Sequence, residues 1–146
     1  MNKLAAALLA LVVATPLAFG QTSADLKLGD IKAQGAKQLT VEEMRELLPG
    51  AKVKRMTKTG STHFWENSAD GTFVASSDGR GSTSQVPGRG KGNWHLADNG
   101  TYCVIIEWKS TTDQGCRYLF KVGDKYYGAG SVGNDAANVT EFEFGK

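Results

Sequence analysis

The apolar positions of this chain fall into three regimes. The first is an unbroken run of Ala, Leu and Val from Leu4 to Val13, preceded by Lys3 and closed by Thr15-Pro16. Ten apolar residues are half of the roughly 20 a helix needs to cross a bilayer. The pattern is that of a secretion signal, with Ala18 and Gly20 as the small residues before a cut after Gly20. Residues 1–20 are therefore expected to be a signal peptide. No Cys follows the run, so no lipid is expected at a new N-terminus.

The second regime has helical period. Residues 21–38 are polar with scattered Leu and Ile, and are expected to form a flexible N-terminal arm. Thr40 then offers an N-cap, and Glu43 three residues on completes a capping box. Val41, Met44, Leu47 and Leu48 make one apolar stripe. Glu42 and Glu43 sit near the positive end of the helix dipole, and Pro49-Gly50 ends the helix.

After Gly50 the period is two. Val53–Lys58, Thr62–Glu66, Thr72–Ser76, Asn93–Ala97, Thr101–Trp108, Cys116–Val122, Lys125–Gly128 and Val139–Phe144 read as short strands. The turns Asn67–Gly71, Asp98-Asn99-Gly100 and Gly123-Asp124 join pairs of them into hairpins. The expected fold is mainly β with one short helix: an antiparallel meander forming a small barrel or half-barrel, with the helix covering one end or face. Residues 39–146 are expected to be a single β-rich domain. Asp78–Gly92, with five glycines, Arg80, Arg89 and Lys91, breaks the rhythm and reads as a long exposed loop.

Charge narrows the partners. The formal net charge of the 146 residues is +2, and the signal peptide would remove only Lys3. A near-neutral chain gives no bulk attraction to nucleic acid or anionic membrane. No later segment is apolar enough to span a bilayer as a helix, so a monomer that is not membrane-embedded is expected.

Two cysteines occur, Cys103 and Cys116. Export to an oxidising space favours a disulfide between them; two buried thiols are the alternative. A plain hairpin pairing Trp108 with Cys116 would set Cys103 opposite Lys121, roughly 17 Å from its partner at about 3.3 Å per residue. A bridge thus needs another register, a bulge or a folded-back loop. His63 and His95 read as ordinary strand histidines, since no metal-ligand spacing accompanies them. Lys52, Lys54, Arg55 and Lys58 read as a solvent-facing strand edge. Arg80, Arg89 and Lys91 form a possible anion-binding loop through the backbone of Pro87–Gly92, against the plainer reading of a solvated loop. Trp65, Trp94, Trp108, Tyr118, Tyr126 and Tyr127 are possible ligand-binding aromatics, against the plainer reading that they fill the barrel.

Several motifs occur in an order that resembles a family of small secreted proteobacterial proteins known as a domain of unknown function. They are Lys37–Thr40 with Glu43, Leu47-Leu48-Pro49-Gly50, Asp70-Gly71-Thr72, Gly92-x-Trp94, Asn99–Val104 ending at Trp108, and Cys116-Arg117 before a turn and tyrosines. The resemblance implies a periplasmic or secreted domain with the two cysteines as a recurring pair. It transfers no catalytic residue.

Together these features point to a binding or interaction module of the bacterial envelope, taking a small ligand, a glycan or an envelope protein, with no cofactor. The alternative is a small hydrolase using Glu66, Asp70, Glu107 and a histidine; it needs two of those carboxylates and a histidine in one cleft.

Overall fold

The structure is a computed structural model that describes residues 26–83 and 85–146. The signal peptide expected over 1–20 lies outside the described residues. Eight strands run in sequence order: β2 (Lys52–Met56), β3 (Thr62–Glu66), β4 (Thr72–Ser77), β5 (Gly88–Leu96), β6 (Tyr102–Trp108), β7 (Thr112–Val122), β8 (Lys125–Ala129) and β9 (Val139–Gly145). Each pairs antiparallel with the next, and β9 returns to pair with β2. The meander therefore closes into an eight-stranded barrel, which removes the open edges a flat sheet would carry.

Alternation fills the barrel. Val53, Trp65, Phe73, Ala75, Tyr102, Val104, Ile106, Leu119 and Phe142 form the interior core. The intervening positions Lys52, Glu66, Lys91 and Glu107 are exposed on the outer wall. Helix α2 (Val41–Leu47) plugs one end of this core with Met44 and, just beyond its last turn, Leu48, both fully buried. Its capping box forms as expected: the Glu43 N–H donates to Thr40 Oγ1 at 3.1 Å, and the Thr40 N–H to Glu43 Oε2 at 2.7 Å. At the other terminus Lys146 Nζ donates to the carbonyls of Glu46, Leu47 and Pro49, groups that helix geometry leaves unpaired.

Three segments differ from the reading of the sequence. Over residues 26–38, read as an arm, the chain forms helix α1 (Leu28–Ala33) and the two-residue strand β1 (Lys37–Gln38). Leu28 and Ile31 are buried against Phe120, Tyr127, Ala129 and Val139, a second core on the outside of the β7–β9 wall. Strand β1 pairs with Phe120 and Lys121 of β7 beyond Arg117, where pairing with β6 ends. The apolar signal here is only two residues deep, too short for a helical stripe to be recognised.

The second difference is the glycine-rich run. Gly88–Gly92, read as loop, belongs to β5 and is paired with β4; from Gly90 on it is also paired with β6. The third is the start of β7, four residues earlier than expected. Glu107 pairs with Thr112, the turn closes through the Trp108 N–H to the Thr111 carbonyl at 2.8 Å, and Cys103 falls directly opposite Cys116. Their Cα atoms are 4.0 Å apart and the disulfide is formed. The bridge needs neither a bulge nor a folded loop, only the earlier start.

Candidate functional site

Because α2 plugs one end of the barrel, the other end is where a ligand has access. That end is built from the last residues of β2, β4 and β6 and the first of β3, β5 and β7. Strand alternation carries the same inward faces as the core into it: Arg55 follows Val53, His63 precedes Trp65, and Trp108 follows Ile106. The apolar interior thus gives way to a polar mouth.

Its centre is a three-residue cluster. The Arg55 guanidinium donates to the Asp113 carboxylate and, at 2.9 Å, to His63 Nδ1. His63 Nδ1 lies 3.8 Å from Asp113 Oδ2. The side chains of Arg55 and His63 are only 13% and 11% exposed, against 37% for Asp113, so the pair sits at the boundary between core and water. Arg55 also lies over Trp65, 5.5 Å from the ring centroid, a cation–π contact. The His63 ring is tilted against Trp108 with centroids 4.7 Å apart.

Arginine has no acceptor, so its hydrogen bond fixes the histidine tautomer: Nδ1 accepts and Nε2 carries the proton. Burial, followed by the Arg55 charge, pushes the His63 pKa from 6.5 down to about 4, with Asp113 and Asp78 pulling weakly the other way. At neutral pH His63 is therefore an uncharged donor. With Nδ1 engaged by Arg55 and Nε2 protonated, it has no free lone pair with which to act as a base.

Two lobes open on this cluster, and Asp113 lines both. The larger, about 720 Å³, lies among Ser61, His63, Ser77, Gly88, Trp108 and the 109–111 turn. The 78–87 segment flanks it and is tied to the barrel: the Thr62 N–H donates to Asp78 Oδ1 at 2.9 Å and the Gly81 N–H to Ser61 Oγ at 2.8 Å. The smaller lobe, about 190 Å³, is lined by Arg55, Lys58, Asp113, Arg117 and Thr140 among others.

The aromatic residues singled out from the sequence divide by position. Trp65 lies beneath Arg55 and Trp108 stands at the mouth. Trp94, half-buried, donates its indole N–H to the Ser68 carbonyl at 2.9 Å, near the plugged end. Tyr126 packs edge-on to Phe144. Tyr118 and Tyr127 belong to the outer core beneath α1. Of the cations in the expected anion loop, Arg89 borders the larger lobe. Lys91 faces out opposite Glu107, and Arg80 is paired with Asp78 at 3.7 Å. The backbone from Gly88 to Gly92 is engaged in the sheet and forms no cradle.

The carboxylates weighed for hydrolysis do not converge. Glu66 stands outside opposite Lys52, Asp70 caps its own turn through Thr72, and Glu107 faces out opposite Lys91. His95 is exposed, and the carboxylate beside His63 is Asp113. Arg55, read as part of a strand edge, points inward instead. Asp113 lies before Cys116, where the sequence pattern starts the strand, so its inward face is not legible there; Arg117 lies inside that strand, two residues before Leu119, with nothing in the sequence to mark it as a site residue. The usable signal was parity: Val53 to Arg55 and Trp65 to His63 are each two residues apart, on one face.

No helix among the described residues is long and apolar enough to cross a membrane, and none of them form a cluster of three or more metal-ligating side chains. A family model described as "Protein of unknown function (DUF995)" matches residues 8–118. No curated protein and no solved structure matches the chain.

Proposed function

The chain belongs to the DUF995 family, to which no function is attached, and from that premise we propose that it is a ligand-binding module of the bacterial envelope whose site is the open mouth of the barrel. The observation that carries this reading is the asymmetry of the two ends. One end is sealed by Met44 and Leu48. The other ends in a nearly buried Arg55–His63 pair, bound to the more exposed Asp113, beside a half-buried Trp108.

A closed barrel does not need such a cluster for stability. Holding an ion pair at the edge of the core costs desolvation that apolar residues of similar size would avoid. An apolar wall with a few convergent polar groups is the usual composition of a ligand pocket. The disulfide is consistent with an oxidising compartment outside the cytoplasm, which agrees with the export signal read from the sequence.

Thermal-shift and tryptophan-fluorescence titrations test the reading, using neutral oligosaccharides, short-chain lipids, and small carboxylates and phosphates at fixed ionic strength. The expected result is stabilisation by at least one class, lost in Trp108→Ala. Stabilisation by none of them, or an undiminished response in Trp108→Ala, would overturn it.

A further inference from the structure

The smaller lobe has an unbalanced charge. Arg55, Lys58 and Arg117 line it, with Asp113 as its carboxylate. Asp113 is already bound to Arg55. Among the described residues no carboxylate is paired with Lys58 or Arg117. Among the described residues, the Arg117 side chain donates to the carbonyl of its neighbour Cys116, at 3.0 Å.

Arg117 occupies this place because two glycines allow it. A Cβ on Gly115 would stand 3.1 Å from Arg117 Nη1, and one on Gly128 would stand 3.0 Å from the Arg117 Cβ. Side chains at these positions would push the arginine aside. The neutral lining groups Thr57, Gln114 and Thr140 add hydrogen-bonding capacity.

We infer that the smaller lobe binds an oxyanion, the carboxylate or phosphate group of a small ligand, with Arg117 as the planar fork and Lys58 as the point charge. Arginine matches the geometry of both oxyanions through paired N–H donors, and lysine adds charge without fixed direction. A volume of about 190 Å³ is small for a whole drug-sized ligand, so the lobe takes the anionic head. The body of the ligand continues past Asp113, which lines both lobes, toward Trp108. This inference rests on the mouth being the binding site.

The test is titration of the oxidised protein with acetate, citrate and inorganic phosphate, chloride making up constant ionic strength, for the native chain, Lys58→Gln and Arg117→Gln. Binding is read by calorimetry and thermal shift. The expected result is stabilisation by citrate or phosphate, with affinity lowered at least about ten-fold in each variant; comparing the two anions tells a carboxylate site from a phosphate site. Lys58 is exposed at the rim, so its variant reports on binding even if Arg117→Gln is unstable. No binding of any of the three anions, or binding unchanged in Lys58→Gln, overturns the inference. If neutral ligands still bind and depend on Trp108, the oxyanion assignment fails while the mouth remains the site. If nothing binds, both fail.

Discussion

The ring of Phe73 occupies the space in which Gly92 would carry a side chain. A Cβ built on Gly92 would stand 2.1 Å from Phe73 Cε2, and the two residues are direct partners across β4 and β5. The strand can pass there only because the position is bare. Gly92→Ala should therefore destabilise the barrel by about 1–3 kcal/mol through overpacking. In a Phe73→Leu background the same substitution should cost at least about 1 kcal/mol less, since the pair is coupled. Urea denaturation of the two single variants and the double variant measures that coupling; additive effects would show that the ring is not the obstacle.

This pair also shows where the sequence was legible. Strands whose inward positions carry Val, Trp, Phe or Ile, such as Val53 with Trp65 opposite it, are visible as alternation, and the meander and plugging helix follow from them. In the first half of β5 the inward positions are Gly88, Gly90 and Gly92, and only Trp94 and Leu96 further on carry apolar side chains to the core. The apolar material that fills the space at the glycines comes from Phe73, Ile106 and Trp108, so the alternation is carried by the neighbours. The start of β7 fails for the same reason: Asp113 and Gly115 face a polar mouth, and period-two reading needs an apolar face. The parts of the site that were hidden are those where the barrel stops being a core.

Cys103 and Cys116 link β6 and β7 as direct cross-strand partners on the outer face of the barrel wall. With a sequence separation of 13, the loop-entropy relation puts the bridge at about 3 kcal/mol. The Cys103→Ala, Cys116→Ala double variant should lose roughly that much, and the native chain under reductant should lose a similar amount. Denaturation with and without reductant checks this, and the double variant should show no further response to reductant. Cys116 is exposed, so reduction of the folded protein is not blocked by burial.

Asn67 is the polar tie between α2 and the barrel. Its Oδ1 accepts from Trp65 Nε1 and from the Tyr102 hydroxyl, each at 2.9 Å, and its Nδ2 donates to the Leu48 carbonyl at 3.1 Å. All of this lies in the core, where burial pushes the Tyr102 pKa up to about 12. Removing the amide strands several buried groups at once. Asn67→Ala should cost about 3 kcal/mol, and Tyr102→Phe, which removes one donor to Asn67 and the second, longer acceptor of the Trp65 indole at 3.3 Å, about 1 kcal/mol. Equal losses in the two variants by urea denaturation would contradict this ordering.

The pH dependence of stability should carry the signature of His63. Its folded pKa is about 4, below its ordinary value of 6.5, so between those values the unfolded chain takes up a proton that the folded chain refuses. Stability contributed by the neutral imidazole is thus complete above about pH 6.5 and is lost as pH falls toward 4. His63→Asn keeps an oxygen to accept from Arg55 and removes the titration. Asp70 and Asp78, whose pKa values are held down mainly by hydrogen bonds from Thr72 and Thr62, lose their contribution at lower pH in both proteins alike. Between pH 7 and pH 4.5 the melting temperature of the native chain should therefore fall several degrees further than that of His63→Asn, at about 1.4 kcal/mol for each pKa unit of difference. Parallel curves would mean that His63 takes up its proton in the folded barrel as readily as in the unfolded chain. In that case neither its burial nor its contact with Arg55 would hold it neutral at the mouth.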